Sequence, residues 1–449
     1  MKYQEENHMI FNKEAETMPR AELEKLQLEK LKKIAVYCYE NVKLYKDKFD
    51  KAGFDPTKIK ALSDIRYIPF TTKEDFRDNY PFGLFAVPMN KIVRMHASSG
   101  TTGKPTVVGY TKNDLDMWSE CVARIVCAAG ATPDDIVQIC FGYGLFTGAL
   151  GLHYGLEKLG AAVVPSSSGN TEKTVMMMRD FGTTALVSTP SYALRIGEVM
   201  QEVGIKPDEV KLRLGLLGSE GCTPEMRDQI EQKLHIFVTD NYGMSELMGP
   251  GVSGECTERC GMHFCEDHFL PEIVDPATGE VLSEGESGEL VVTTLSKEGL
   301  PVLRYKTHDI TSLTYEPCKC GRTGARMMKP TGRTDDMLKI RGVNVFPSQI
   351  ESVLMVVPEI APHYQLVVGR EGSADNLEVK VELADASLLD DYRNLEELRT
   401  RIKHDLKTVL GISTKVSLVE PKSIERTAGK AKRVIDNRPK ETATFSVEK

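Results

Sequence analysis

Hydrophobic positions in the first part of the chain follow helical spacing. Between residues 20 and 51, apolar side chains recur at steps of three and four residues: Leu28, Leu31, Ala35, Cys38 and Val42. This spacing predicts one or two amphipathic helices. A threonine followed by acidic residues at positions 72–75 predicts a further helix start. We therefore expect a helical packing segment before the first strands.

From residue 92 onward, short apolar runs alternate with helical segments. The runs that predict strands are 92–95, 107–110, 136–140, 161–165, 184–188, 212–218 and 236–238. Helical spacing follows at 111–129, 171–181 and 191–203, and another helix opens at residues 223–225. This alternation predicts an α/β fold with a mainly parallel sheet flanked by helices. Ligands of such sheets bind at the carboxyl ends of the strands.

The last hundred residues predict a smaller α+β domain. Residues 378–382 alternate as a strand, and residues 395–410 carry helical spacing. The face that we expect to pack is formed by Leu395, Leu398, Ile402, Leu406 and Val409.

Composition excludes several classes of protein. The 449 residues include 41% hydrophobic and 27% charged residues, and the net charge of -8 contains no basic block, which argues against nucleic acid as the main partner. No stretch predicts a membrane span, and the polar N-terminus shows no signal-peptide core. We expect a cytoplasmic protein whose ten cysteines are mostly thiols.

Residues 98–106 (SSGTTGKPT) carry the strongest chemical signal. Glycines let backbone N–H groups turn toward an anion, hydroxyls add donors, and Lys104 supplies positive charge. The run lies between two predicted strands, so it is expected to be a phosphate-binding loop within a packed domain. It is not a Walker A loop, because Ser98 stands where that motif has its first glycine and Pro105 follows Lys104.

Two predicted strands end in polar, glycine-containing segments. Residues 219–221 follow one strand, and residues 240–246 follow the next strand along the chain. A tyrosine beside a glycine can stack on a purine, and a nearby carboxylate can hold Mg²⁺ between phosphates. Each segment alone is also compatible with an ordinary turn.

A cysteine-rich region indicates a structural zinc site. Cys318 and Cys320 form the firmest pair of ligands, and Cys256 and His263 complete the predicted set. Cys260 and Cys265 remain alternatives for the last position. The spacing departs from the usual C-x₂-C, so unliganded thiols are the competing interpretation.

Six motifs in order resemble the adenylate-forming superfamily of acyl-CoA synthetases, adenylation domains and luciferases. They are residues 98–105, 242–246, 304–309, 332–335, 341–347 and 425–430. The resemblance runs from about residue 65 to the C-terminus and is closest to the phenylacetate-CoA ligase branch. It implies that ATP and a carboxylic acid form an acyl adenylate, whose acyl group passes to coenzyme A with release of AMP and pyrophosphate.

The resemblance also implies a role for each motif. The β- and γ-phosphates would contact Ser99, Thr101 and Lys104, and the ribose hydroxyls would contact Asp309. Arg333 would contact the α-phosphate, and Glu246 would hold Mg²⁺. The residues expected around the adenine and the adjacent nucleotide atoms are Ser219, Glu220, Gly221, Tyr242, Gly243, Met244 and Ser245.

A hinge at Asp335 would separate an ATP- and acid-binding domain, residues 1–334, from a mobile C-terminal domain, residues 335–449. In one pose of that domain Lys430 would serve adenylate formation, and another pose would serve thioester formation. Without the other motifs, the basic run 427–433 is typical of a solvated tail. Relatives are often dimers, so a homodimer is possible.

The acid is expected to lie against the turn that follows Cys140. Phe141, Tyr143 and Phe146 border small residues, including Gly144, which indicates a slot for a flat ring and favours an aryl acetic acid. Packing of these rings in the core is the alternative interpretation. Two other functions remain open: transfer of the acyl group to a carrier-protein or protein thiol, and a non-catalytic nucleotide-binding protein. The completeness of the motif set argues against the second.

Overall fold

The computed structural model describes residues 9–98, 105–341, 343–371, 374–390, 392–426 and 431–438. The chain forms two compact units. The first contains Met1–Cys222 and Arg227–Thr334, and the second contains Thr223–Met226 and Asp335–Lys449. The helices are α1 Lys13–Glu16, α2 Arg20–Asn41, α3 Lys43–Ala52, α4 Lys73–Asp78, α5 Lys112–Ala128, α6 Thr147–Leu159, α7 Thr171–Asp180, α8 Pro190–Glu202, α9 Pro224–Leu234, α10 Pro347–Leu354 and α11 Tyr392–Leu410.

The strands of the first unit form three sheets. In chain order they are β1 Arg94–Ala97, β2 Val107–Tyr110, β3 Ile136–Ile139, β4 Ala162–Val164, β5 Ala185–Ser188, β6 Leu214–Gly218, β7 Phe237–Met244, β8 Gly249–Glu255, β9 Met262–Phe264, β10 Phe269–Val274, β11 Gly288–Thr294, β12 Tyr305–Thr311, β13 Leu313–Thr314, β14 Arg326–Met327 and β15 Gly332–Arg333. The predicted helices and strands between residues 107 and 218 match these bounds within two residues.

The largest sheet has nine strands in the order β13-β14-β9-β8-β7-β6-β5-β3-β4. The segment β4-β3-β5-β6-β7 is parallel, as the alternation of strands and helices predicts, and β8, β9, β14 and β13 continue the sheet with antiparallel pairing. The α/β prediction is confirmed. The antiparallel extension was not predicted, since β8 contains three glycines and no alternation, and β9, β13 and β14 are only two or three residues long.

A second, antiparallel sheet of the first unit has the order β10-β11-β12-β15. Its strands β10 and β11 are buried along their whole length, including their polar residues Glu272, Glu289, Thr293 and Thr294. The third sheet is the hairpin of β1 and β2, which frames the run 98–106. Four of the six motifs lie in or directly beside strands of these three sheets: residues 98–105, 242–246, 304–309 and 332–335.

The second unit holds a four-stranded sheet of order β20-β19-β18-β21 and a two-stranded sheet of β16 and β17. The strands are β16 Leu338–Ile340, β17 Val343–Val345, β18 Ile360–Glu371, β19 Ala374–Leu383, β20 Lys415–Val419 and β21 Val434–Asp436. Helix α11 buries Leu398, Ile402, Leu406 and Leu410 at exact four-residue steps. The sequence predicted that Val409 lies on the packed face. This prediction is wrong, because Val409 is 46% exposed.

Two predicted boundaries are wrong for a physical reason. Strand β7 continues through Met244, whereas the sequence predicted a loop after residue 238. The continuation pairs with β8, and a side chain at Gly243 would place its Cβ 1.8 Å from the Gly249 carbonyl oxygen, so only glycine fits. Strand β1 begins at Arg94 rather than at residue 92, because Ile92 ends a short 3₁₀ turn.

Candidate active site

The two predicted nucleotide segments lie side by side. Strands β6 and β7 pair in parallel as far as Gly218 and Asn241, and the Asn241 side chain donates to the Leu217 carbonyl at 2.6 Å. Ser219 follows with a φ of 73°, a left-handed conformation that turns the chain at the end of the strand. Within the described residues, an added Cβ at Gly221 would meet no atom within 4 Å. The backbone at residues 219–221 therefore borders open space beside Tyr242.

Tyr242, Asp309 and Arg333 form the polar centre of the site. The Tyr242 hydroxyl donates to one oxygen of Asp309 at 2.5 Å, and Arg333 donates to the other at 2.7 Å. Strands β12 and β15 set this geometry, because Asp309 and Arg333 are direct cross-strand partners. Burial raises the pKa of Tyr242, and the Asp309 charge raises it further, so the phenol stays protonated and remains a donor.

Asp309 retains capacity for a ligand despite these two bonds. The residue is 5% exposed, and each oxygen of an ionised carboxylate has two lone pairs. An ionised carboxylate can therefore accept more hydrogen bonds than those from Tyr242 and Arg333. This arrangement can accept two hydroxyl groups on neighbouring carbon atoms. Arg333, predicted to contact a phosphate, is here paired with Asp309.

The Glu246 side chain forms no hydrogen bond or ion pair with the other residues that the structure describes. The residue lies in the turn after β7 and is 7% exposed. Ser245 beside it contacts Thr147 of α6, with 3.2 Å between the hydroxyl oxygens. A largely buried carboxylate that accepts no hydrogen bond from the described residues is suited to a divalent cation, because carboxylate oxygens are the ligands that Mg²⁺ takes in proteins.

Lys297 is a buried cation behind Glu246 that sequence reasoning missed. Its Nζ donates to the Glu246 carbonyl at 3.4 Å and lies 5.1 Å from the centre of the Tyr110 ring. Burial lowers the pKa of Lys297 to about 8, although Asp114 and Glu246 work in the opposite direction. The surrounding sequence does not indicate that Lys297 is buried, since a lone lysine after a strand is ordinarily exposed.

The motif at residues 304–309 contains two residues, Arg304 and His308, that hold the chain around Asp309. Arg304 is buried and donates to both oxygens of Glu272, at 3.1 and 2.9 Å. It therefore holds the motif in place. His308, to which the sequence assigned no role, has a φ of 67°, and its Nδ1 lies 2.9 Å from the Thr334 hydroxyl oxygen. This contact ties the backbone beside Asp309 to the last residue of the first unit.

The aromatic segment predicted to receive the acid divides into a buried and a half-buried part. Phe141 is 5% exposed and belongs to the hydrophobic core, where its ring meets Phe146 edge to face at 5.8 Å. Tyr143 is half-buried, and its hydroxyl lies 3.0 Å from Nδ1 of His153. Burial raises the pKa of Tyr143, so its phenol also stays protonated. In the described residues, an added Cβ at Gly144 would meet nothing within 4 Å.

The phosphate-loop residues Ser99, Thr101 and Lys104, and Lys430, lie outside the described residues. The base of the loop is described: the Ser98 amide donates to the Thr106 carbonyl at 3.0 Å, and the Thr106 amide donates to the Ser98 hydroxyl at 3.1 Å. In the second unit, the segment leading to Lys430 is anchored by Arg426, which donates to both oxygens of the buried Glu382 at 2.7 and 2.8 Å.

The predicted zinc ligands come together as a buried cluster. One ligand atom from each of Cys256, His263, Cys318 and Cys320 lies within 4.8 Å of every other. The sulfur atoms of Cys256 and Cys318 are 3.7 Å apart, and Cys320 Sγ lies 3.4 Å from His263 Nε2. All four residues are buried, and the cysteines are free thiols.

The two alternative cysteines differ in their contacts and in their burial. Cys265 points toward the Cys121 carbonyl, 3.9 Å from its Sγ. Cys260 is exposed, although its sulfur lies 3.4 Å from that of Cys318. Ligand positions follow from the sheet, since Cys256 comes directly after β8 and His263 lies in β9 opposite Arg326 of β14. The cysteine pair sits on the loop between β13 and β14.

Comparison with known proteins identifies the family. Residues 10–296 match the AMP-binding enzyme family, and residues 342–438 match the AMP-binding enzyme C-terminal domain. The chain belongs to the AMP-binding enzyme family. The resemblance to adenylate-forming enzymes, drawn from the order of the motifs, is confirmed.

Relatives cover nearly the whole chain. A phenylacetate-coenzyme A ligase from Thermus thermophilus is 51% identical over 96% of this chain and 100% of its own length. One from Escherichia coli is also 51% identical, over 94% of this chain and 97% of its own length. These matches confirm the predicted enzyme class, an AMP-forming acid–thiol ligase of the phenylacetate-CoA type that works through an acyl adenylate.

Solved structures agree with the fold. A 2-hydroxyisobutyryl-CoA ligase in its postadenylation state, in complex with an acyl-AMP, superposes with a TM-score of 0.90 at 31% identity. The match covers 96% of this chain and 93% of that one. Among the described residues, we find no helix with the length and apolar character that a bilayer crossing requires.

Proposed function

We propose that this ligase activates an aryl acetic acid with ATP and transfers the acyl group to coenzyme A. The observation that carries the proposal is the meeting of Tyr242, Asp309 and Arg333 at the strand ends beside residues 219–221. That cluster brings an aromatic face, a buried carboxylate and a cation together within one small region. The identity of about half of all positions to phenylacetate-CoA ligases supports the choice of acid.

In this proposal the nucleotide is held by groups of opposite character. The adenine lies between Tyr242 and the backbone of residues 219–221, with Gly243, Met244 and Ser245 along its edge. Asp309 accepts the two ribose hydroxyls. Glu246 holds Mg²⁺, which supplies charge neutralisation at the phosphates when it is bound. Magnesium binding by Glu246 is supported by the burial of its carboxylate, which forms no hydrogen bond or ion pair with another described residue.

The chemical need explains why cations surround the phosphates. A carboxylate is a poor electrophile, so its oxygen first attacks the α-phosphate, which forms the acyl adenylate and releases pyrophosphate. The coenzyme A thiol then attacks the acyl carbon, and AMP is the leaving group. Negative charge builds up on the triphosphate in the first of these steps, and fixed donors stabilise it. We assign that task to Ser99, Thr101, Lys104 and Arg333, and in the first half-reaction also to Lys430. Asp335 is the proposed hinge between residues 1–334 and 335–449.

The acid is proposed to lie along Tyr143, Gly144 and Phe146, with Phe141 supporting Phe146 from the core. The open space beside Gly144 and the half-buried rings support a slot for a flat side chain. Phenylacetate is the first candidate, with indoleacetate or a hydroxylated analogue behind it.

A pyrophosphate-release screen tests the proposed function. The protein, ATP and Mg²⁺ are mixed with aromatic and aliphatic acids, with and without coenzyme A. We expect aryl acetic acids to give the highest rates and coenzyme A to sustain turnover. Thioester formation with free coenzyme A alone separates this function from transfer to a carrier-protein thiol. Rates that are equal with and without any acid would contradict the proposal.

We further propose that the buried Cys/His cluster holds a structural zinc ion. Zn–S bonds of about 2.3 Å in a tetrahedron place two sulfur atoms about 3.8 Å apart. The 3.7 Å between Cys256 and Cys318 is close to that value, and these sulfur atoms are not joined in a disulfide. Three thiols and one imidazole form a ligand set that zinc favours. The ion would fasten the loop between β13 and β14 to β8 and β9.

The cellular setting is also a proposal. ATP and coenzyme A are substrates of the cytoplasm, so we assign the enzyme to that compartment. A homodimer is proposed from the resemblance alone, and its test is the mass of the protein in solution.

A further inference from the structure

His96 lies where the two substrate segments of the proposed site meet. It is in β1, two residues before Ser98, which opens the phosphate loop, and it is 1% exposed. A histidine so deeply buried is costly unless its ring nitrogens find partners. The sequence predicted roles for residues of the neighbouring loop but none for His96.

The hydrogen bonds of this strand converge on one carbonyl of the acid segment. His96 Nδ1 lies 3.0 Å from the Leu145 oxygen, and the Ala97 amide donates to the same oxygen at 2.9 Å. A carbonyl oxygen only accepts, so Nδ1 must carry a proton. Nε2 is buried and has no hydrogen-bond partner among the described residues. Burial lowers the pKa of His96, which agrees with a neutral ring protonated at Nδ1.

The ring also joins both sides of the loop to the segment after Glu246. It meets Tyr110 and Trp118 edge to face at 5.7 and 5.8 Å, and these two rings stack at 4.9 Å. Tyr110 donates to the Met248 carbonyl and Trp118 donates to the Pro250 carbonyl, each at 2.7 Å. The orientation of the imidazole is therefore fixed, and its Nδ1–H bond can hold Leu145 at a set distance from the strand that enters the phosphate loop.

We propose that His96 is a positioning residue, which holds the acid-binding segment against the phosphate-loop strand through its Nδ1–H bond to Leu145. Leu145 stands between Gly144 and Phe146, so this bond sets where the acid lies relative to the phosphates. In-line attack on the α-phosphate requires the carboxylate to be placed closely, and a small displacement lowers the rate strongly. The inference rests on the proposed function, since it takes residues 141–146 as the acid segment.

Asparagine and glutamine at position 96 form a matched pair of tests. The amide nitrogen of asparagine is as many bonds from the backbone as Nδ1, whereas that of glutamine is one carbon farther. We expect His96→Asn to keep kcat/KM for phenylacetate within about three-fold of the wild type. We expect His96→Gln to lose about ten-fold or more, mostly through a higher KM for the acid, since one buried hydrogen bond is missing. Met95→Ala, on the same strand but 45% exposed, controls for general disturbance of β1.

Thermal unfolding of each variant separates positioning from folding. Asparagine leaves more space in the core than glutamine, so a purely structural role predicts the larger losses of stability and activity in His96→Asn, the reverse of the order expected for positioning. Equal acid KM values for the asparagine and glutamine variants would overturn the inference, as would a rise in the KM for ATP as large as that for the acid. Failure of the proposed function itself would show in the wild type, which would release no pyrophosphate in response to any acid.

Discussion

The proposed nucleotide site and the cysteine cluster are built in opposite ways. Around Asp309, the polar groups already have protein partners, which hold the carboxylate in place for a ligand that binds and leaves. In the cluster, the sulfur atoms of Cys256 and Cys318 face each other at 3.7 Å, a separation that suits a shared ion. A site for a substrate is held open by its neighbours, whereas a site for a resident ion depends on that ion.

This difference predicts that the two regions fail separately. Changes at the cluster should lower the stability of the folded protein and leave the binding of ATP by the remaining folded molecules unchanged. Changes around Asp309 should lower ATP binding and leave the metal content unchanged. A single variant that changed both ATP binding and zinc content would contradict this comparison.

Cys318→Ser is expected to have the largest effect. It removes one of four proposed ligands, and metal content should fall from about one zinc per chain to a small fraction of that, with a loss of several kcal/mol in the free energy of unfolding. Metal analysis and thermal unfolding measure the two quantities. Cys260→Ser is the matched control, because Cys260 is exposed and lies outside the group of four although it is 3.4 Å from Cys318. Wild-type protein that contains no zinc would refute the metal site.

The sequence predicted the parallel part of the fold well and the antiparallel part poorly. Buried strands such as β5 and β6 are short continuous apolar runs between helices, a pattern that one stretch of sequence contains entirely. Strand β8 is Gly249–Glu255, with three glycines and no alternation, and it is a strand because β7 and β9 lie beside it. Pairing of that kind is decided by tertiary contacts, which the local pattern does not contain.

The site shows the same division. Motif order predicted Tyr242 and Asp309, and the spacing of cysteines and a histidine predicted the four cluster residues, because each belongs to a short pattern with its own chemistry. Lys297 and His96 belong to no such pattern, and their importance arises from what surrounds them: the Glu246 carbonyl for one and the Leu145 carbonyl for the other. Residues that act by holding another segment in place leave no local signal.

Asp309→Ala is the next largest change. It removes both ribose acceptors and leaves Arg333 and Tyr242 without their shared partner, so we expect kcat/KM for ATP to fall about 100-fold, or about 2.7 kcal/mol. Zinc content should not change. Asp309→Asn keeps one acceptor oxygen and should lie between the alanine variant and the wild type. An alanine variant with the KM for ATP of the wild type would show that the ribose binds elsewhere.

Glu246→Gln should sharpen the assignment of the magnesium site. The amide keeps the size of the side chain and removes its charge, so the Mg²⁺ concentration that gives half-maximal activity should rise about ten-fold. Pyrophosphate release measured against Mg²⁺ at fixed ATP gives this value. Glu298→Gln is a suitable control, because that carboxylate accepts from Thr111 and Asn113 in the same region of the first unit. Equal shifts in the two variants would contradict a specific role for Glu246.

Tyr242→Phe should have the smallest effect and is the most informative about how the site is held. The ring remains available to stack on adenine, and only the 2.5 Å hydrogen bond to Asp309 is lost. We expect the KM for ATP to rise about five-fold, which corresponds to about 1 kcal/mol for one hydrogen bond to a charged acceptor that Arg333 still engages. Unfolding temperature and zinc content should stay at wild-type values. If ATP binding were instead lost as completely as in Asp309→Ala, the hydroxyl and the carboxylate would act as one unit, and the orientation of Asp309 would depend on Tyr242 rather than on its cross-strand pairing with Arg333.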